Sequence, residues 1–205
     1  MRRTLVTMIT ITAAALAQEP TAAERDKAFR YLAETRKGVE DSVRGLTDAQ
    51  WKYKPAPDRW SVAEVVEHLA VIEDVLKTVF AKLPDGPAPL AERETRQFDA
   101  EMLAKVTDRS TKFEAPPNAR PAARWAPAAA LEHFLASRAY TTDLLRNTPA
   151  LRAHTFTHPV FGPLDGYQWI MAVAAHSARH TQQILEVKAD PGFPTAKSTA
   201  APALH

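Results

Sequence analysis

Apolar residues recur at helical spacing in four stretches of this chain, and no stretch alternates convincingly enough to write a strand. The first stretch, 24–46, is charged but interrupted by Phe29, Leu32, Val39 and Val43, which share one face of a helix. Gly45 is a natural stop for it. Thr47-Asp48-Ala49-Gln50 reads as the cap of a short helical turn leading into Trp51 and Tyr53, and Pro55 and Pro57 break the chain behind it. Ser61-Val62-Ala63-Glu64 is a capping box, with Ser at the N-cap and Glu three positions on. The helix it opens carries Val62, Val65, Val66, Leu69, Ile72, Val75, Leu76 and Val79. So wide a stripe marks a central helix, expected to end near Leu83, before Pro84-Asp85-Gly86-Pro87.

Residues 91–106 are polar with sparse apolar positions and fit either a surface helix or a partly ordered connection. Three prolines make 112–121 a loop. Pro127 is a favoured first-turn residue. It opens a helix bearing Leu131, Phe134, Leu135, Tyr140, Leu144 and Leu145 that stops before Pro149. A turn-rich link through His158-Pro159-Val160-Phe161-Gly162-Pro163 leads to a box-like cap at Asp165-Gly166-Tyr167-Gln168. The last helix runs from there through Trp169, Ile170, Val173, Ile184, Leu185 and Val187 to about Lys188, and Pro191 and Pro194 end it. Four long amphipathic segments with linkers too long for tight hairpins predict an all-α four-helix bundle with irregular connections. One local echo runs across it. Arg59-Trp60 precedes Glu67-His68 at the spacing by which Arg124-Trp125 precedes Glu132-His133.

The two ends of the chain differ from its middle. Arg2 and Arg3, an apolar run from Leu5 to Leu16 broken only by threonines, and the small-residue exit Ala15-Leu16-Ala17 have the order of a secretory signal. The apolar run is short of the ~20 residues a spanning helix needs. Residues 1–17 are thus expected to be removed on export to the periplasm or medium, leaving no stable membrane span. Residues 191–205, rich in Ala, Pro, Ser and Thr, are expected to form a disordered tail. The 18–190 segment between them is long enough for one domain with its own core.

Composition narrows the chemistry. Of 205 residues 45% are hydrophobic and 24% charged, with a net charge of +2, so nucleic acid is not the expected partner. Cysteine is absent, which removes disulfides, thiolate nucleophiles and thiolate ligands together. A metal site here has to use histidine, carboxylate and water. No phosphate loop, His-Glu-x-x-His pair or Gly-x-Ser-x-Gly elbow is present.

His176 and His180 stand four apart on the last helix and leave one face a turn apart. His68 lies on or beside the apolar stripe of its own helix. A buried histidine has to be hydrogen-bonded, paired or liganded, so His68 is either a satisfied core residue or a third ligand. If the second and last helices lie side by side, the three imidazoles meet. Three histidines with an open position are the pattern of a catalytic metal site. Neutral imidazoles accept zinc, nickel, iron or manganese.

The stretch Trp60-Ser61-Val62-Ala63-Glu64-Val65-Val66-Glu67-His68-Leu69 resembles the second-helix signature of the DinB/YfiT-like superfamily. The segment from His158 to Trp169, running on to His176-Ser177-Ala178-Arg179-His180-Thr181-Gln182-Gln183-Ile184, resembles that superfamily's last helix and its lead-in. The resemblance spans roughly residues 24–190 and implies an up-and-down four-helix bundle with a nickel- or zinc-type site. Its ligands, one histidine of the second helix and two of the fourth, fall on His68, His176 and His180. The family's known enzymes are transferases and isomerases that use low-molecular-weight thiols such as bacillithiol or mycothiol. Those thiols are mainly cytosolic, and the leader of this chain departs from that setting. The resemblance leaves the oligomeric state open, with a homodimer one form such bundles take.

Several other residues have two readings. Glu64, one turn before His68, either only caps its helix or also orients His68 or serves as a general base on a metal-bound water. His133 either joins the site, by the echo with His68, or sits at the core edge. His158 is expected to fix loop geometry rather than bind metal. Arg179 is expected to be solvated or ion-paired, the alternative being that it holds an anionic substrate near the metal. Gln183 and Tyr167 could line a pocket, and Trp60, Trp125 and Trp169 read as packing anchors. The resulting expectation is an exported metal-dependent transferase or hydrolase acting on a small molecule. The alternatives are a non-catalytic metal- or ligand-binding bundle, such as one acting in stress response, and a structural bundle without metal.

Overall fold

The computed structural model of the chain describes residues 19–89 and 92–195, without the side chains of 92–95. The expected leader, 1–17, and residues 196–205 of the expected tail lie outside the described residues. Four long helices form the bundle: α1 (Ala22–Val43), α3 (Val62–Lys82), α5 (Pro127–Asn147) and α6 (Gly166–Lys188). The short α2 (Asp48–Lys52) follows α1, and α4 (Glu92–Thr107) lies in the connection between α3 and α5. Thr21, Thr47, Ser61 and Asp165 each accept the backbone N–H three residues on, while Glu24, Gln50, Glu64 and Gln168 reach back to the cap. Each such cap stabilises its helix by about 1 kcal/mol, so the helix starts are set locally. Gly45, at φ 71°, follows α1 in the left-handed conformation that glycine tolerates best.

Around the bundle, α1 packs on α5 and α6, and α3 packs on the same two, so α1 and α3 stand on one diagonal. Tyr167 donates to the Glu24 carbonyl at one end and Lys188 to the Ser42 carbonyl at the other, which makes α1 and α6 parallel. Val62, Val65 and Val66 from the start of α3 share a core cluster with Ile184 and Val187 from the end of α6, so that pair is antiparallel. Arg25 near the start of α1 donates to Leu145 and Thr148 carbonyls at the end of α5. In chain order the directions are therefore up, down, down, up. Strict alternation, which an up-and-down bundle implies, holds except between α3 and α5. Those two run parallel because the long irregular connection holding α4 returns the chain to the starting end.

Three local expectations change. Segment 92–107 is a helix, with Met102 and Val106 buried against the bundle. The link before α6 contains a two-stranded antiparallel hairpin, β1 (Thr155–His158) and β2 (Gly162–Asp165), with Thr155 opposite Asp165. Pro159 in the turn and Pro163 in β2 mask any alternation there, and β2 is an edge strand that tolerates proline. Residues just past α6 pack on the bundle rather than trailing away. Phe193 meets Tyr53 edge-on at 5.6 Å, and Gln50 donates to the Pro194 carbonyl at 2.9 Å.

The buried face of α5 also departs from the apolar positions. Its buried residues are Ala130, Phe134, Ser137, Arg138, Thr141 and Leu145, while Tyr140 is exposed. Arg138 and Glu73 of α3, each 1% exposed, pair at the centre of the bundle. Arg138 also donates to the Leu32 carbonyl, Thr35 Oγ1 and Ser177 Oγ, and Thr141 donates to Glu73. One buried network thus touches all four long helices. No helix among the described residues is long and apolar enough to cross a membrane.

Candidate metal centre

The antiparallel packing of α3 on α6 decides the site. The Ser61 cap starts α3 so that His68 falls on its second turn, facing α6, and is 3% exposed. His176 and His180 lie at and just past the midpoint of α6, on the face turned to the start of α3. His68 Nε2 and His180 Nε2 lie 3.2 and 3.1 Å from His176 Nε2. The ligand nitrogens of all three lie within 4.8 Å of one another. Trp60, just before the cap, lies over His68 at 4.9 Å between ring centroids and faces His180 at 6.3 Å.

Hydrogen bonds on the far side of two rings fix what the near side presents. His68 Nδ1 lies 2.7 Å from the Ala119 carbonyl, which can only accept, so Nδ1 carries the proton. His180 Nδ1 donates in the same way to Gln183 Oε1 at 2.8 Å. Both Nε2 atoms therefore direct bare lone pairs at His176. Its Nε2 has one proton at most and can serve only one of them, and its enclosed Nδ1 has no hydrogen-bond partner among the described residues. Three convergent nitrogens with too few protons are unfavourable unless a cation joins them. Bonds of about 2.0–2.1 Å to a tetrahedral ion place neighbouring donor nitrogens about 3.3 Å apart, close to the spacing found. The residues present fit a divalent metal.

Electrostatics agree. Burial holds His68 below the ordinary imidazole range, against the opposing effect of its bond to Ala119. Burial, reinforced by the neighbouring histidines, pushes His176 and His180 far below that range. All three are neutral near pH 7, the form that binds metal. His158 is also held neutral, its pKa lowered by burial to about 4. Unfolded histidines take up a proton near pH ~6.5, whereas these folded ones resist until lower pH. The stability they contribute is complete above that value and is lost as pH falls through the folded values. The urea midpoint of metal-free protein is expected to drop steadily on acidification below pH ~6.5; a level or rising midpoint there would contradict the assignment.

The other expected residues fall outside this cluster. Glu64 Oε2 accepts the Ser61 N–H at 2.7 Å and Oε1 accepts Lys54 at 3.0 Å, so its carboxylate is engaged in the cap. His133 does not join. It donates to Asp74 at 2.6 Å and stacks on Trp125 at 4.4 Å, on the α3–α5 side. His158 Nδ1 accepts the N–H groups of Val160 and Phe161, which shapes the hairpin turn. His154 donates to the Gly86 carbonyl at 2.9 Å. Arg179 is not solvated, and among the described residues it makes no contact ion pair. Only 8% exposed, it donates to the carbonyls of Val106, Asp108 and Thr111 and so closes the end of α4. Gln183 takes part through His180, and Tyr167 packs in the core under Arg152 at 4.4 Å.

The fold and the histidine cluster lead to the same family as the sequence motifs. A model of the DinB superfamily matches residues 31–184. The chain belongs to the DinB superfamily. Among relatives of this DinB chain, the uncharacterized protein YuaE of Bacillus subtilis (strain 168) is 27% identical over 160 residues, covering 76% of this chain and 93% of YuaE. Among solved structures, YfiT from Bacillus subtilis, described as a probable metal-dependent hydrolase with an unusual four-helix bundle topology, matches with a TM-score of 0.54 and 20% identity over 85% of this chain and 91% of its own. TT2238, described as a four-helix bundle protein, matches with a TM-score of 0.50 and 20% identity over 79% of this chain and 98% of its own. These two likenesses are of fold. Sequence reasoning missed the Ala119 carbonyl, and with it Glu67 and Arg124, which hold the loop that supplies it. The available signal was a glutamate inside an apolar stripe, beside a histidine.

Proposed function

We propose that His68, His176 and His180 hold one divalent metal ion, zinc or nickel in the first instance with iron or manganese as alternatives, and that the protein is a metal-dependent transferase or hydrolase acting on a small molecule. The observation that carries this reading is the convergence of the Nε2 atoms at 3.1–3.2 Å, with the tautomers of His68 and His180 fixed from behind. A divalent ion bound there supplies Lewis-acid chemistry, polarising a substrate oxygen or making a nucleophile near neutral pH. The protein's part is to present neutral imidazoles, exclude competing protons and keep Trp60 packed over the rings. The description of YfiT as a probable metal-dependent hydrolase supports the same class. The signal-like pattern of residues 1–17 supports export, which makes cytosolic thiols poor cosubstrates for this chain.

Elemental analysis of protein purified without an affinity tag is the direct test. About one equivalent of a divalent metal per chain is expected, and His176→Ala is expected to lose it. Substoichiometric metal that is unchanged in His176→Ala would remove the proposal. Turnover screens of simple esters, amides and thiol conjugates, before and after chelation, test the catalytic half. A second reading, a non-catalytic metal-binding bundle, is favoured by one feature. His68 and His180 are both buried, and Ala119, itself 1% exposed, closes directly over His68. Full metal occupancy with no chelator-sensitive turnover supports that reading instead.

A further inference from the structure

The loop between α4 and α5 is tied to α3 through two neighbouring residues, Glu67 and His68. Glu67, 4% exposed, turns its carboxylate away from the histidines and into this loop. Its Oε1 accepts the Ala122 N–H at 2.8 Å, the Arg124 N–H at 3.3 Å and Arg124 Nη1 at 2.7 Å. The Arg124 guanidinium continues the clamp, donating to the Arg120 carbonyl at 2.9 Å and the Asn118 carbonyl at 3.2 Å. Ala119 lies between those two carbonyls in sequence, in the 3₁₀ turn Pro117–Ala119, and its own carbonyl meets His68 Nδ1. The chain reaches this arrangement through Ala123 at φ 54°, a conformation unfavourable for alanine. A strained backbone persists only where its surroundings hold it in place, and Glu67 bonds to the residues on both sides of Ala123.

We propose that Glu67 is a positioning residue for the metal centre: with Arg124 it holds the Ala119 carbonyl against His68 Nδ1, and so fixes the tautomer that directs the His68 Nε2 lone pair into the histidine cluster. The proposal rests on the metal reading for its consequence but not for its geometry. Hydrogen-bond partners behind a ligating histidine orient the ring and raise its basicity, and their loss typically costs 10–100-fold in metal affinity. A purely structural role for Glu67 would lower stability and leave the affinity of the folded protein unchanged.

The experiment uses the full chain with Glu67→Ala, Glu67→Gln and Arg124→Ala. Arg124 is largely outside the core, so its replacement cuts the clamp from the loop side if Glu67→Ala does not fold. Zinc affinity is measured by competition with a chelator, and the His68 ring tautomer is read from imidazole nitrogen shifts in metal-free protein. Zinc affinity is expected to fall about 10–100-fold in Glu67→Ala and Arg124→Ala, with partial recovery in Glu67→Gln and a mixed His68 tautomer in the two alanine variants. Wild-type affinity and an unchanged His68 tautomer in folded Arg124→Ala would overturn the proposal. If wild-type protein binds no zinc, nickel, iron or manganese, the metal reading fails. The tautomer measurement then still decides whether Glu67 positions His68.

Discussion

Arg138→Met is expected to lower the stability of the bundle by about 3–5 kcal/mol, the usual cost of leaving one member of a buried ion pair alone. For a chain of this size that corresponds to a fall of about 10 °C in Tm. The reason lies in the surroundings of Glu73. It is 1% exposed, and among the described residues only the Thr141 hydroxyl donates to it besides Arg138. The double replacement Glu73→Leu with Arg138→Met is expected to recover most of the loss. The hydroxyls it abandons each have a carbonyl of their own helix within reach: Thr35 that of Tyr31 at 2.8 Å, Thr141 that of Ser137 at 3.1 Å, and Ser177 that of Val173 at 3.1 Å. Urea unfolding of the four proteins forms a double-mutant cycle. Equal and additive losses would show that the pair is not coupled. Because neither Glu73 nor Arg138 hydrogen-bonds to the three histidines among the described residues, zinc affinity of the folded single variants should not change.

The second large effect is expected at the histidine cluster. Zinc at about a hundred times its dissociation constant should stabilise the wild-type protein by about 2.7 kcal/mol through binding to the folded state alone. His180→Ala is expected to lose that response, because two imidazoles remain and one of them, His176, has no partner behind its ring among the described residues. Thermal unfolding with and without zinc checks this directly. Glu64→Gln is the informative companion. Its carboxylate serves the Ser61 cap and Lys54, so the zinc response should survive at a somewhat lower baseline stability. A zinc response in His180→Ala equal to wild type would place the metal elsewhere.

The local echo in the sequence acquires a physical meaning in the fold. In both copies the tryptophan lies over the histidine eight residues on, at 4.9 Å for Trp60 and His68 and 4.4 Å for Trp125 and His133. The copies then diverge according to what faces them. His68 faces α6 and meets two more histidines, whereas His133 faces Asp74 and becomes its hydrogen-bond partner. Their charged residues cross over, with Arg124 of the second copy clamping Glu67 of the first. Similar local sequences thus took different roles because their neighbours differ.

Much of this protein was determined by the sequence alone. Helix starts at Ser61 and Asp165, the turn at Gly45, the four long amphipathic segments and the three histidines are legible because capping and helical periodicity act over three or four residues. The tertiary structure decided the rest. Only the antiparallel packing of α3 on α6 brings residue 68 to within hydrogen-bonding distance of residue 176. Only the parallel return of α5 places Arg138 against Glu73, so that a polar stripe counts as core. The loop carbonyl behind His68, the clamp that holds it and the hairpin before α6 depend on contacts between residues fifty or more apart or on turns without periodicity. Such features leave no local pattern, because their stability comes from the partner and not from the segment itself.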